Sequence, residues 1–164
     1  MELPQMKKFT KSLMAVAFVA ASGAAVAEET SFDATISLLQ PITLNTVQDL
    51  SFAPQAVGEN IDVVTGAEDT RAAVFSATGE ANAAAQASVV ESSIEMVTGA
   101  GATTGERITV DTFTYGGSLA SDGSTAFDAA GELNNMRVGG TAHVEADDVQ
   151  GDFVGTATFR LVYQ

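Results

Sequence analysis

The sequence has no cysteine, so a disulfide, the usual staple of small domains in oxidising compartments, is excluded. Burial, or pairing with a partner, has to supply what a crosslink would contribute. Tryptophan is also absent and tyrosine occurs twice, leaving nine phenylalanines to carry much of the packing. Basic residues are few, seven against 21 acidic ones, and there is a single histidine. No apolar run is long enough to span a bilayer as a helix, since that takes about 20 residues.

The longest apolar run, residues 13–21, follows Lys7, Lys8 and Lys11 and precedes Ala25-Val26-Ala27, a small-x-small site in front of Glu28. A basic start, a short apolar stretch and such a site predict a secretory signal peptide cleaved between Ala27 and Glu28. Met6 is an alternative start, because residues 1–5 add nothing to a signal. The expected mature chain, residues 28–164, is long enough for one domain with its own core.

The leader takes all three lysines and two phenylalanines, Phe9 and Phe18, with it. Of the acidic residues it takes only Glu2, so 20 acids remain against four arginines, a net charge near −16. Such a chain repels nucleic acid and anionic lipid, and neither is an expected partner. No membrane span is expected in the mature chain.

What the mature chain has in abundance is two-residue alternation separated by turn signals, the pattern of strands. Phe32, Ala34, Ile36 and Leu38 alternate with polar residues and predict a first strand, interrupted by Pro41. Extended stretches are expected over residues 42–52, 61–64, 71–78, 85–96 and 107–115. The alanine-rich residues 79–88 form no apolar stripe, so no helix is assigned there. Loops are expected over residues 98–105 and 116–125, the second turning at Asp122-Gly123. Met136, Val138, Gly140, Ala142 and Val144 alternate with Arg137, Gly139, Thr141, His143 and Glu145, a strand with one apolar face. Residues 151–164 alternate most regularly: Phe153, Gly155, Ala157, Phe159, Leu161 and Tyr163 on one face, and Val154, Thr156, Thr158, Arg160, Val162 and Gln164 on the other. Strand after strand in one domain predicts an all-β fold, a β-sandwich of immunoglobulin type.

Groups for catalysis are sparse. Nucleophilic chemistry needs a nucleophile, a base and an orienting group, and His143, the only histidine, falls on the polar face of its strand. No Gly-x-Ser-x-Gly, His-Glu-x-x-His or phosphate-binding loop occurs. Glu145, Asp147 and Asp148 form an acidic turn that reads as solvated, as does Glu68-Asp69. No enzyme activity, metal or cofactor is expected.

Two family resemblances then emerge. Pro41-Ile42-Thr43-Leu44 followed by Asp49-Leu50-Ser51-Phe52, then residues 73–79, Val138-Gly139-Gly140-Thr141 and Gly151-Asp152-Phe153-Val154-Gly155-Thr156, resemble in order and spacing the bacterial exported family catalogued as domain of unknown function 4402. Separately, Gly151 stands fourteenth from the end and Tyr163 is penultimate, flanking an alternating strand. That ending is similar to the last strand of chaperone–usher pilus (fimbrial) subunits, nearest to those without cysteine. This second resemblance implies an immunoglobulin sandwich lacking one strand. A periplasmic chaperone lends that strand beside the subunit's last one, and the N-terminal segment of the next subunit then replaces it.

On that reading Phe32, Ala34, Ile36 and Leu38 are the candidate donor strand, and Gly151, Phe153, Phe159, Leu161 and Tyr163 the candidate strand that pairs with subunit or chaperone. The implied partners are copies of the chain or related subunits and a chaperone. The implied route is export through the periplasm to the cell surface. The alternative is a self-contained exported β-sandwich module that does not polymerise. In that case residues 32–38 are the domain's own first strand, and only residues 28–31 remain ahead of it.

Overall fold

A computed structural model describes residues 28–99 and 103–164; residues 1–27, where a signal peptide ending at Ala27 is expected, lie outside the described residues. The chain divides into two units, Met1–Ile36 and Ser37–Gln164. Of the first, residues 28–36 are described and have no regular secondary structure. The strand expected over residues 32–38 is not formed: it has no partner in a sheet, and alternation alone gives a strand nothing to hydrogen-bond.

The second unit is all-β. Its strands are β1 (Thr43–Gln48), β2 (Ile61–Thr65), β3 (Ala73–Thr78), β4 (Ala84–Val89), β5 (Ile94–Val97), β6 (Arg107–Gly117), β7 (Ser124–Ala126), β8 (Glu132–Val144) and β9 (Phe159–Tyr163), with one 3-10 turn at Thr104–Glu106. They form two antiparallel sheets packed as a sandwich. The larger runs β1-β3-β8-β6-β5, with β2 pairing the far half of β8 beyond β3; the smaller runs β7-β4-β9.

β8 is the spine. Glu132 to Val138 pairs β3 and Gly140 to Val144 pairs β2, while β6 lies along the other side. Between β2 and β3 the chain leaves the sheet and passes over β8. A Cβ on Gly139 would stand 2.2 Å from the Thr65 carbonyl oxygen, so only glycine admits that crossing. Arg137 fastens the crossing loop by donating from Nε to the Ala67 carbonyl at 2.8 Å and from Nη2 to the Asp69 carbonyl.

The core has two parts. Ala77, Ala85, Phe127, Leu133, Met136 and Leu161 are buried between the two sheets. Val63, Ile108, Val110 and Ala142 form a second cluster on the larger sheet, against which Phe52, Met96 and Phe153 pack. Small alanines on β4 let the sheets approach, and the phenylalanines fill the space between them.

Two expected strands are corrected. The stretch over residues 85–96 is broken at residues 90–93, so β4 belongs to the smaller sheet and β5 to the larger. The final stretch breaks in the same way: Val154 bridges Val97 at the edge of the larger sheet, residues 155–158 are irregular, and only β9 joins the smaller one. The two segments cross between sheets together as a ribbon. Val97 and Val154 exchange backbone hydrogen bonds of 2.9 Å, and Val90 donates to the Thr158 carbonyl at 2.9 Å. A Cβ on Gly155 would lie 2.7 Å from the Glu95 carbonyl oxygen, which accounts for glycine at the crossing.

Candidate functional site

β9 is a strand because its residues alternate and because β4 offers a ladder. Tyr163, Leu161 and Phe159 stand opposite Ala85, Ala87 and Val89. Leu161 is buried, Phe159 and Tyr163 are half-buried, and Arg160 and Val162 face water. This is the facing that alternation predicts. β9 ends the order of the smaller sheet, and no strand among the described residues pairs its other edge. β1 likewise ends the order of the larger sheet. Leu44 of β1 and Phe159 and Tyr163 of β9 pack against the same core cluster.

An apolar groove runs between β1 and the irregular segment 153–157 that leads into β9. One part, about 470 Å³, is walled by Thr46 and Gln48 of β1 on one side and residues 153–157 on the other, with Phe75, Val110 and Phe113 on its floor. A second part, about 450 Å³, continues it past Val63 and Ile108. Leu50, Phe52, Met96 and Phe153 line both parts, so the two are continuous. At the floor Phe75 and Phe159 stack face to face, centroids 4.1 Å apart and planes 7° from parallel.

Tyr163 anchors the end of β9. Its hydroxyl donates to the Gln40 carbonyl at 2.8 Å and accepts from the Glu80 backbone N–H at 2.6 Å. Its ring packs against Phe127 at 5.7 Å. A Cβ at Gly79 would fall 2.3 Å from that hydroxyl, so the absence of a side chain there makes the seat. Beyond β9, the crossing is held by Glu91, whose carboxylate accepts from both the backbone N–H and the hydroxyl of Thr158, each at 2.8 Å. Those two bonds, the backbone one foremost, hold the Glu91 carboxyl below its ordinary range.

Gly151 is exposed and Phe153 half-buried against the second core cluster, both in irregular chain, so of the five residues expected on one pairing strand only Phe159, Leu161 and Tyr163 lie in a strand. On the N-terminal side, Phe32, Ile36 and Leu38 are 88%, 85% and 88% exposed, and Ala34 is exposed as well.

His143 lies on the polar outer face of its strand, as expected, its side chain 38% exposed. It is wedged on the outer face of the larger sheet between Asp62 of β2, 2.7 Å from Nδ1, and Asp111 of β6, 2.9 Å from Nε2. The acidic turn after β8 is structural: Asp148 is buried and accepts the Glu145 backbone N–H at 2.8 Å. Sequence reading missed Gln40, Glu80 and Gly79 as the seat of Tyr163, and Asp62 and Asp111 as the partners of His143. All are far away in sequence, and no local pattern marks them.

The chain matches no protein-family model, no curated protein and no solved structure. The functional reading therefore starts from the groove and its open edges.

Proposed function

We propose that the chain is a non-enzymatic, exported structural subunit, similar to a fimbrial subunit, which assembles by strand addition between copies. Residues 32–38 of one copy lie in the groove of the next and pair with the free edge of β9. The observation that carries this reading is a complementary pair within one sequence: an unpaired edge on β9, which continues the segment walling an apolar groove, and an alternating apolar segment left almost wholly in water.

The physics is that of an edge strand, whose unpaired N–H and C=O groups recruit another chain. Main-chain hydrogen bonds to β9 set the register. Phe32, Ala34, Ile36 and Leu38 face the groove, the three large side chains each contributing about 1.5–3 kcal/mol when fully buried. Seven residues extend over about 20 Å, enough to run the length of the five-residue β9. A sandwich of immunoglobulin type with one strand supplied from outside fits both edges. A periplasmic chaperone that covers the groove before assembly, and a destination at the cell surface, complete the proposal.

Because the native chain has no cysteine, introduced pairs report strand addition cleanly. Asp33→Cys, Thr35→Cys and Ser37→Cys, each combined with Val162→Cys in one chain, scan the register. Strand addition between copies predicts a ladder of disulfide-linked multimers for at least one combination. Crosslinked monomers alone support the self-contained module, and no crosslink at any position removes strand addition altogether.

A further inference from the structure

The histidine on the outer face of the larger sheet has no place in the assembly just proposed. A neutral imidazole has one donor and one acceptor nitrogen, yet both ring nitrogens of His143 face carboxylate oxygens, Asp62 at 2.7 Å and Asp111 at 2.9 Å. Only the doubly protonated ring donates to both. The backbone builds this arrangement. Asp62 stands directly opposite His143 across the β2–β8 ladder, and Asp111 lies on the diagonal, opposite Thr141. A register shift in β6 between Asp111 and Thr114, with Thr112 at φ 50°, bends the strand just beyond Asp111. The Thr112 hydroxyl donates to the same Asp111 oxygen at 2.8 Å and steadies that carboxylate.

We propose that His143 is a pH-operated clasp that holds β2 to the larger sheet in its imidazolium form and lets β2 loosen when it loses its proton. β2 is the strand to which such a clasp matters most. Among the described residues its ladder partner is five residues of β8, and its Val63 is part of the groove wall. The other charged groups around the ring are accounted for. Glu145 lines the same shallow surface hollow. Arg107, on the same face of β6, is engaged by Glu95 of β5 at 2.9 Å. The hydrogen bond to Asp111 first, and that to Asp62 second, raise the His143 pKa above its ordinary value against a smaller opposing effect of burial. The clasp therefore acts in full below the unfolded imidazole value of about 6.5 and is lost as pH rises through the higher native value. It works in the same way whether or not a foreign strand fills the groove.

The single histidine makes the test direct. In the mature chain, the imidazole proton resonance followed by NMR against pH reports His143 alone. Its midpoint is expected above the ordinary value, and Asp111→Asn and Asp62→Asn are each expected to lower it. Amide hydrogen exchange, corrected for the intrinsic effect of pH, should show β2 losing protection across that midpoint while β4 and β9 keep theirs. His143→Gln should hold β2 at the low-protection level at every pH. A midpoint at or below the ordinary value, or β2 protection that is flat across the titration, overturns the clasp.

Discussion

The hydroxyl of Tyr163 donates to the carbonyl of Gln40 at 2.8 Å across 123 positions of sequence, and so ties the final strand to the base of the N-terminal segment. The same oxygen accepts from the Glu80 N–H, so one atom joins three stretches of chain. Tyr163→Phe keeps the ring against Phe127 but leaves the part-buried Glu80 N–H unpaired. A loss of about 1–3 kcal/mol is expected, read as a lower urea midpoint with unchanged slope.

Gly79 gives that hydroxyl its room. Gly79→Ala places a Cβ 2.3 Å from the Tyr163 oxygen and 2.9 Å from Phe127 Cζ, and should cost about 1–3 kcal/mol through overpacking. The pair Gly79→Ala with Tyr163→Phe should cost less than the sum of the two, because both break one latch. Full additivity in urea titrations would show that Gly79 and Tyr163 act separately.

The stacked rings of Phe75 and Phe159 join β3 to β9 across the sandwich at 4.1 Å. A double-mutant cycle with Phe75→Leu and Phe159→Leu should return a coupling of about 0.5–1.5 kcal/mol beyond area burial. A coupling within error of zero means that the floor of the groove is filled by area alone.

Phe32 and Ile36 make a contrasting prediction. Both side chains are almost wholly in water, so Phe32→Asp with Ile36→Asp should leave the unfolding free energy of monomeric residues 28–164 within about 0.5 kcal/mol of its starting value. Assembly into multimers, followed by size-exclusion chromatography, should be lost. The proposed donor segment carries Asp33 and follows Glu28 and Glu29, and residues 28–164 hold 20 acidic residues against four arginines. Copies therefore repel, and wild-type assembly should quicken as salt is raised from 0.01 M to 0.15 M, where the screening length falls from about 30 to about 8 Å.

Much of this fold was legible in the sequence, because alternation reports which face a strand buries. Residues 61–64, 107–115 and the inward set Met136, Val138 and Ala142 all lie within strands, and Phe159, Leu161 and Tyr163 point inward. The failures have physical causes. Residues 32–38 alternate as cleanly as β9 but meet no ladder in the single chain, and pattern alone does not supply one. Residues 85–96 and 153–164 keep their alternation through a crossing from one sheet to the other, so the break is invisible until both segments are seen to cross together. β7 is three residues long, too short for any periodicity. The partners of His143 were not legible, because Asp62 and Asp111 come from two other strands and a bulge.

Strand addition itself is tested most directly by the mature chain and one peptide. Purified residues 28–164 are titrated with urea in the presence and absence of a synthetic peptide of residues 28–39, with the size of the species followed in parallel. The expected result is a midpoint that rises with peptide concentration, by the mass action of a ligand bound only by the folded state, and does not rise with a peptide carrying Phe32→Asp and Ile36→Asp. A monomer that unfolds cooperatively and reversibly, at a midpoint neither peptide moves, would contradict it.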